Sequence, residues 1–108
     1  MSEFERFEAW RSANETALAI HRKWEDLDPD ELGAMVLKLR RELDPFFDWF
    51  PAGWYRKEQL LAHVGAMASN LSSANKESCH RDINDLVYAD MPALFTHLLT
   101  EYKKSLSR

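Results

Sequence analysis

Apolar side chains recur three and four residues apart in five stretches of the chain, the spacing of helical faces. Phe4, Phe7, Trp10, Ala13, Ala17, Ile20 and Trp24 make the first stripe. It predicts a helix over residues 3–26, about 36 Å long at 1.5 Å per residue. Ser2 and Glu5 form an S-x-x-E capping box at its start, and Glu3, Glu5 and Glu8 suit the positive end of the helix dipole. The run Asp28-Pro29-Asp30-Glu31 marks a second start. Asp28 fits the N-cap, Pro29 the first helical position, and Glu31 closes the box. Leu32, Met35, Val36, Leu39 and Leu43 then share one face, and Lys38, Arg40 and Arg41 follow near the negative end. Because Pro45 disfavours a helical residue before it, this helix is expected to stop by Asp44.

A short turn through Phe50 follows, broken by Pro51-Ala52-Gly53. A third helix is predicted over 54–71, with Leu60, Leu61, Val64, Met67, Ala68 and Leu71 inward, then a polar turn between Ser69 and Asn75. A fourth, over 76–89, carries Cys79, Ile83, Leu86 and Val87. Asp90 or Met91 is expected to cap the last helix, with Pro92 in its first turn. Leu94, Phe95, Leu98, Tyr102 and Leu106 form its stripe, and Lys103 and Lys104 sit near its end. No period-two alternation of β-branched residues occurs. The expected fold is all-α: a compact single-domain bundle of four to five helices over 1–108, with a short aromatic helical turn between the second and third long helices. Leu27-Asp28-Pro29 and Leu43-Asp44-Pro45 repeat 16 residues apart, below the roughly 20–50 residues of solenoid units; they use the same helix-start chemistry twice.

Composition narrows the function. A net charge of −4 disfavours nucleic acid, whose phosphates need a basic face, and suits a partner with a basic surface. Cys79 is the single cysteine, so a disulfide-stapled scaffold is excluded. The acidic start lacks the apolar run of a signal peptide. No stretch approaches the roughly 18 apolar residues of a membrane span. A cytoplasmic location and no membrane partner are expected.

Catalytic and metal chemistry find little support in the motifs. Glu77-Ser78-Cys79-His80 is one Glu-x-x-His element of the kind used by di-iron carboxylate bundles, and the second copy is missing. His21-x-x-x-Glu25 and His80-x-x-x-x-Asp85 resemble pieces of the hemerythrin pattern, but Met67 stands four residues after His63 where the H-x-x-x-H pair needs a histidine. No metal or other cofactor is expected. His21, Glu25, Glu77 and His80 are the ligands of an alternative reading, a metal- or small-ligand-binding bundle. Cys79 and His80 diverge by about 100° on a helix and cannot pair. Gly33, Gly53 and Gly65 are isolated, so no phosphate-cradling loop exists. The four histidines fall on different predicted helices and are expected to act independently. The chain is expected not to be an enzyme.

Phe46, Phe47, Trp49, Phe50, Trp54 and Tyr55 crowd one connector, interleaved with Asp44 and Asp48 and stiffened by Pro45 and Pro51. Connectors are usually polar. Rings and acids held on a rigid corner have the composition of an interface hot spot, although a corner between helices is also a place where large rings plug a core. Asp48-Trp49-Phe50-Pro51 resembles the short aromatic helix, amid acids and before proline, of the immunity proteins that neutralise colicin-type nucleases. The resemblance covers four residues of the chain. It implies an acidic helical inhibitor of a basic toxin or nuclease. The reading is therefore a non-enzymatic protein-binding module whose partner contacts are Asp44, Phe47, Asp48, Trp49, Phe50, Trp54 and Tyr55, with Asp28, Asp30 and Glu31 nearby. A dimerising structural subunit, burying exposed rings against a second copy, is a further alternative.

Overall fold

The computed structural model of the chain describes residues 3–47, 57–72 and 76–107. Ser2, the turn residues 73–75 and the connector residues Asp48, Trp49, Phe50, Trp54 and Tyr55 lie outside the described residues, as do the side chains of Phe47, Met67, Ala68, Leu71, Glu77 and Cys79.

Among the described residues five α-helices follow in order: α1 (Glu3–Arg22), α2 (Pro29–Phe47), α3 (Lys57–Ser72), α4 (Lys76–Asp85) and α5 (Met91–Leu106). No strand occurs among the described residues. The molecule is an all-α bundle measuring 49 × 22 × 21 Å. Helix α1 packs most extensively on α2, α3 on α4, and α5 on α1. Ala13, Ala17 and Ile20 of α1 are completely buried, and the two alanines let the neighbouring backbones approach closely. On α2 the buried residues are Leu32, Val36, Leu39, Leu43 and Phe46, a strict four-three-four-three seam. Leu60 and Val64 of α3 and Ile83, Leu86, Val87, Met91, Leu94 and Leu98 complete the core.

The predicted first helix ends earlier than residue 26. The N–H groups of Asp26 and Leu27 both turn back to the Lys23 carbonyl, at 2.9 and 3.1 Å, which tightens Trp24–Asp26 into a 3₁₀ turn. Leu27 then runs extended (φ −83°, ψ 126°) with its side chain buried. The cause is local: Asp28 must leave the helical region before Pro29, and it starts α2 as the sequence predicts, its Oδ1 accepting the Glu31 N–H at 2.8 Å. Helix α2, by contrast, does not stop at Asp44. It passes through Pro45 to Phe47. Pro45 is exposed and near the end, so the one lost hydrogen bond falls on the Arg41 carbonyl at a wet face. Continuing the helix seats Phe46 in the core, a burial worth about 2–3 kcal/mol.

The predicted break between the fourth and fifth helices is also corrected. Helices α4 and α5 form one continuous rod of 10, 5 and 16 residues, about 46 Å long, joined by a wide π turn at Leu86–Asp90. Pro92 explains the turn. It has no N–H for the Tyr88 carbonyl, and its ring would press on that carbonyl in a regular helix. Widening the turn relieves the contact, and the Met91 N–H reaches back five residues to Leu86. Asp90 therefore makes no side-chain cap; it points into the core and is completely buried.

Candidate functional site

The π turn sends two chemically distinct residues in different directions. Asp90, inward, meets the Nδ1 of His63 on α3. The other ring nitrogen, Nε2, lies 3.6 Å from Asp85. The His63 side chain is 23% exposed and that of Asp90 is 0% exposed. A carboxylate taken fully out of water needs a hydrogen-bonded partner, and His63 supplies one. The pair fastens α3 to the middle of the rod.

Tyr88, two residues earlier, points outward and is 69% exposed. Its ring meets the edge of His21 at 5.3 Å and 86°. His21 lies against His80 at 6.2 Å and 26°, and Trp24 stacks on His80 at 4.9 Å and 24°. Four rings from α1, the 3₁₀ turn, α4 and the π turn thus form one aromatic shelf. The early end of α1 is what places Trp24 there, because the 3₁₀ turn carries it past the last α1 residue and over α4. Three of these rings, His21, Trp24 and His80, line an open pocket of about 270 Å³ together with Arg22, Glu25 and Asp26.

The acids continue past the pocket. Glu25, Asp26, Asp28, Asp30 and Glu31 are all exposed and follow the 3₁₀ turn into the first turn of α2. The Glu31 N–H bonded to Asp28 holds that carboxyl below its ordinary range. The Glu31 carboxyl, which hydrogen-bonds to Asp28 and is repelled by it, is raised. Arg22 and Lys23 precede the acids and are exposed too, so the edge is acidic in excess rather than uniformly.

Of the residues predicted to contact a partner, Asp28, Asp30 and Glu31 are exposed at the start of α2, a few residues along the chain from Asp26 of the pocket. Asp44 is exposed at the far end of α2, 16 residues and about 24 Å further along the axis. Phe46, part of the same aromatic corner, is a core residue at 0% exposure. The alternative ligand set is brought together in part: His21, Glu25 and His80 line one pocket. Among the described residues no three His, Cys, Asp or Glu side chains converge to hold a metal ion. The expectation of four independent histidines does not hold, since His21 and His80 share the shelf and His63 bridges two aspartates.

Sequence reasoning missed Trp24 and Tyr88 as site residues and misread Asp90. A signal for Asp90 was present, because it falls on the apolar stripe between Ile83 and Leu94. No such signal announces the shelf, which brings His21 and Trp24 against His80 and Tyr88 from a distant part of the chain. Comparison with known proteins adds no relative: no family model, curated protein or solved structure matches this chain. No helix among the described residues is long and apolar enough to cross a membrane.

Proposed function

We propose that this chain is a non-enzymatic protein-binding module that receives a basic side chain of its partner on the Trp24–His80 shelf. The observation that carries the reading is the indole stacked on His80 at an open pocket, with the carboxylates of Glu25 and Asp26 on its rim. An indole face attracts a cation by about 0.5–2 kcal/mol depending on desolvation. Neighbouring acids add attraction and steer the encounter. Arginine is the better guest, since its guanidinium stacks on rings and pairs with carboxylates in the same plane. Within this reading, an inhibitor of a basic toxin or nuclease is the particular role that the acidity and the Asp48-Trp49-Phe50-Pro51 resemblance favour.

The test is parallel affinity capture from the native host. The wild-type chain is compared with a Glu25→Lys/Asp26→Lys variant, which changes only exposed positions, and with Trp24→Ala. A basic protein held by the wild type and lost from both variants supports the reading. Retention of the same protein by both variants refutes it, and the Asp44–Tyr55 corner would then be the surface to test through Asp48→Ala and Trp49→Ala.

A further inference from the structure

The opposite end of α1 presents a second surface. There the start of α1 and the end of α5 lie side by side as a two-helix arm. The Phe7 ring meets Phe95 edge-on at 5.9 Å and Tyr102 at 6.0 Å, and Trp10 lies against Phe95 at 4.7 Å. The Trp10 Nε1–H donates to the Met91 carbonyl at 2.8 Å and ties the arm to the body. Along α5, Phe95, Leu99, Tyr102 and Leu106 follow one another at four-three-four spacing, the seam of a coiled coil. The seam of α2 with this spacing is completely covered. That of α5 is not: Phe95 and Leu99 are half-buried, while Tyr102 is 39%, Leu106 67% and Phe4 72% exposed. On α1 none of residues 4–12 is buried, and Ala13 is the first that is.

We infer that two copies of this chain pack arm to arm about a two-fold axis running along the arms, closing a four-helix bundle in which α1 of each copy lies beside α5 of the other. Charge favours this arrangement. The first turns of α1 carry Glu3, Glu5 and Glu8 against Arg6 and Arg11, and the last turns of α5 carry Lys103 and Lys104 against Glu101. Each end thus keeps a small excess of one sign, with Glu8 and Lys104 also paired to Arg11 and Glu101 in their own helices. With the axis along the arms, the acidic start of each α1 meets the basic end of the partner's α5, and opposite ends of the helix dipoles lie together. An axis across the arms would set each tip against the partner's body and lose both effects. The two-fold makes the contact self-complementary and closed, so the assembly ends at two.

The size of the face sets the strength. From Phe95 to Leu106 the arm is roughly 18 Å long, and two helices are roughly 20 Å wide. Corrugated by its side chains, such a face buries about 500 Å² per copy, about 1,000 Å² in all, at the threshold of a specific interface. A dimer held by a face at this threshold is reversible and builds up only as protein concentration rises. The arm tip and the Trp24 shelf are separated by the length of α1, about 30 Å, so each dimer would offer two shelves.

Sedimentation of the full chain over a concentration series up to about 0.5 mM tests the inference. A monomer–dimer equilibrium is expected, with Phe4→Glu and Leu106→Glu each weakening it about tenfold or more. Leu37→Glu, at an exposed apolar position on α2 away from the arm, leaves the equilibrium unchanged. All three positions are exposed, and unchanged helical circular dichroism confirms that each variant folds. A chain that stays monomeric throughout, or a dimer indifferent to both arm substitutions, overturns the inference.

Discussion

Replacing His63 with alanine removes the imidazole that faces Asp90 and leaves a carboxylate at 0% exposure without that partner. Breaking a fully buried pair in this way costs about 3–5 kcal/mol. Two features of this site lower the figure. His63 is 23% exposed, so water enters where the ring was, and Asp90 keeps a further interaction. The expected loss is about 2–3 kcal/mol, a large share of a stability of about 5–15 kcal/mol. Asp90→Asn keeps the shape and an acceptor for the ring, and should lose only about 1 kcal/mol. The double replacement His63→Leu/Asp90→Leu removes both polar partners together and should lie within about 1 kcal/mol of wild type. The assay is urea unfolding followed by far-UV circular dichroism, with equal m-values confirming that the native state is comparable. A loss below about 0.5 kcal/mol in His63→Ala, or a double variant less stable than His63→Ala, would count against this pairing, since removing both partners together leaves no buried carboxylate behind.

Other predictions follow from smaller features. Gly65 and Gly33 lie inside helices, and a Cβ at either would meet nothing within 4 Å; Gly65→Ala and Gly33→Ala should each stabilise by about 0.5–1 kcal/mol, read as a higher urea midpoint. Asp28 caps α2 and its carboxyl is held low in the fold. Its contribution is thus fully present above the unfolded value of about 3.9 and disappears as pH falls through the lower folded value. Asp28→Ala should melt a few degrees below wild type at pH 7 and approach it in acid; relief of the Glu31 carboxyl, raised by Asp28, trims the difference at neutral pH. A gap in melting temperature that grows on acidification would contradict the capping account.

Local chemistry was readable in the sequence, and non-local chemistry was not. The Asp28 cap, the start of α2 at Pro29 and the α2 seam all depend on residues within one or two turns, and the structure has them as the sequence predicts. Pro45 and Pro92 misled because each was weighed by its local rule alone. At Pro45 the core site for Phe46 outweighs one lost hydrogen bond on a wet face. At Pro92 the rod widens instead of breaking, so Asp90, well placed to cap a new helix, becomes a buried acid. Its partner His63 is 27 residues away, beyond the reach of any periodicity. The shelf is harder still: Trp24 reads as one more member of the α1 stripe until the 3₁₀ turn moves it across to His80. The acids Asp28, Asp30 and Glu31 are exposed, as charged residues at a helix start are expected to be, but the stack of Trp24 on His80 could not be anticipated.

The claim that the Trp24–His80 shelf accepts a basic side chain is tested most directly by titrating a short arginine-rich peptide into ¹⁵N-labelled protein and following the indole N–H of Trp24 and the ring signals of His21 and His80. Saturable shifts are expected at these three residues and at the amides of Glu25 and Asp26, weakened by added salt and abolished by Glu25→Lys/Asp26→Lys. Shifts that leave Trp24 and His80 unmoved, or that persist unchanged in the charge-reversed variant, would contradict it.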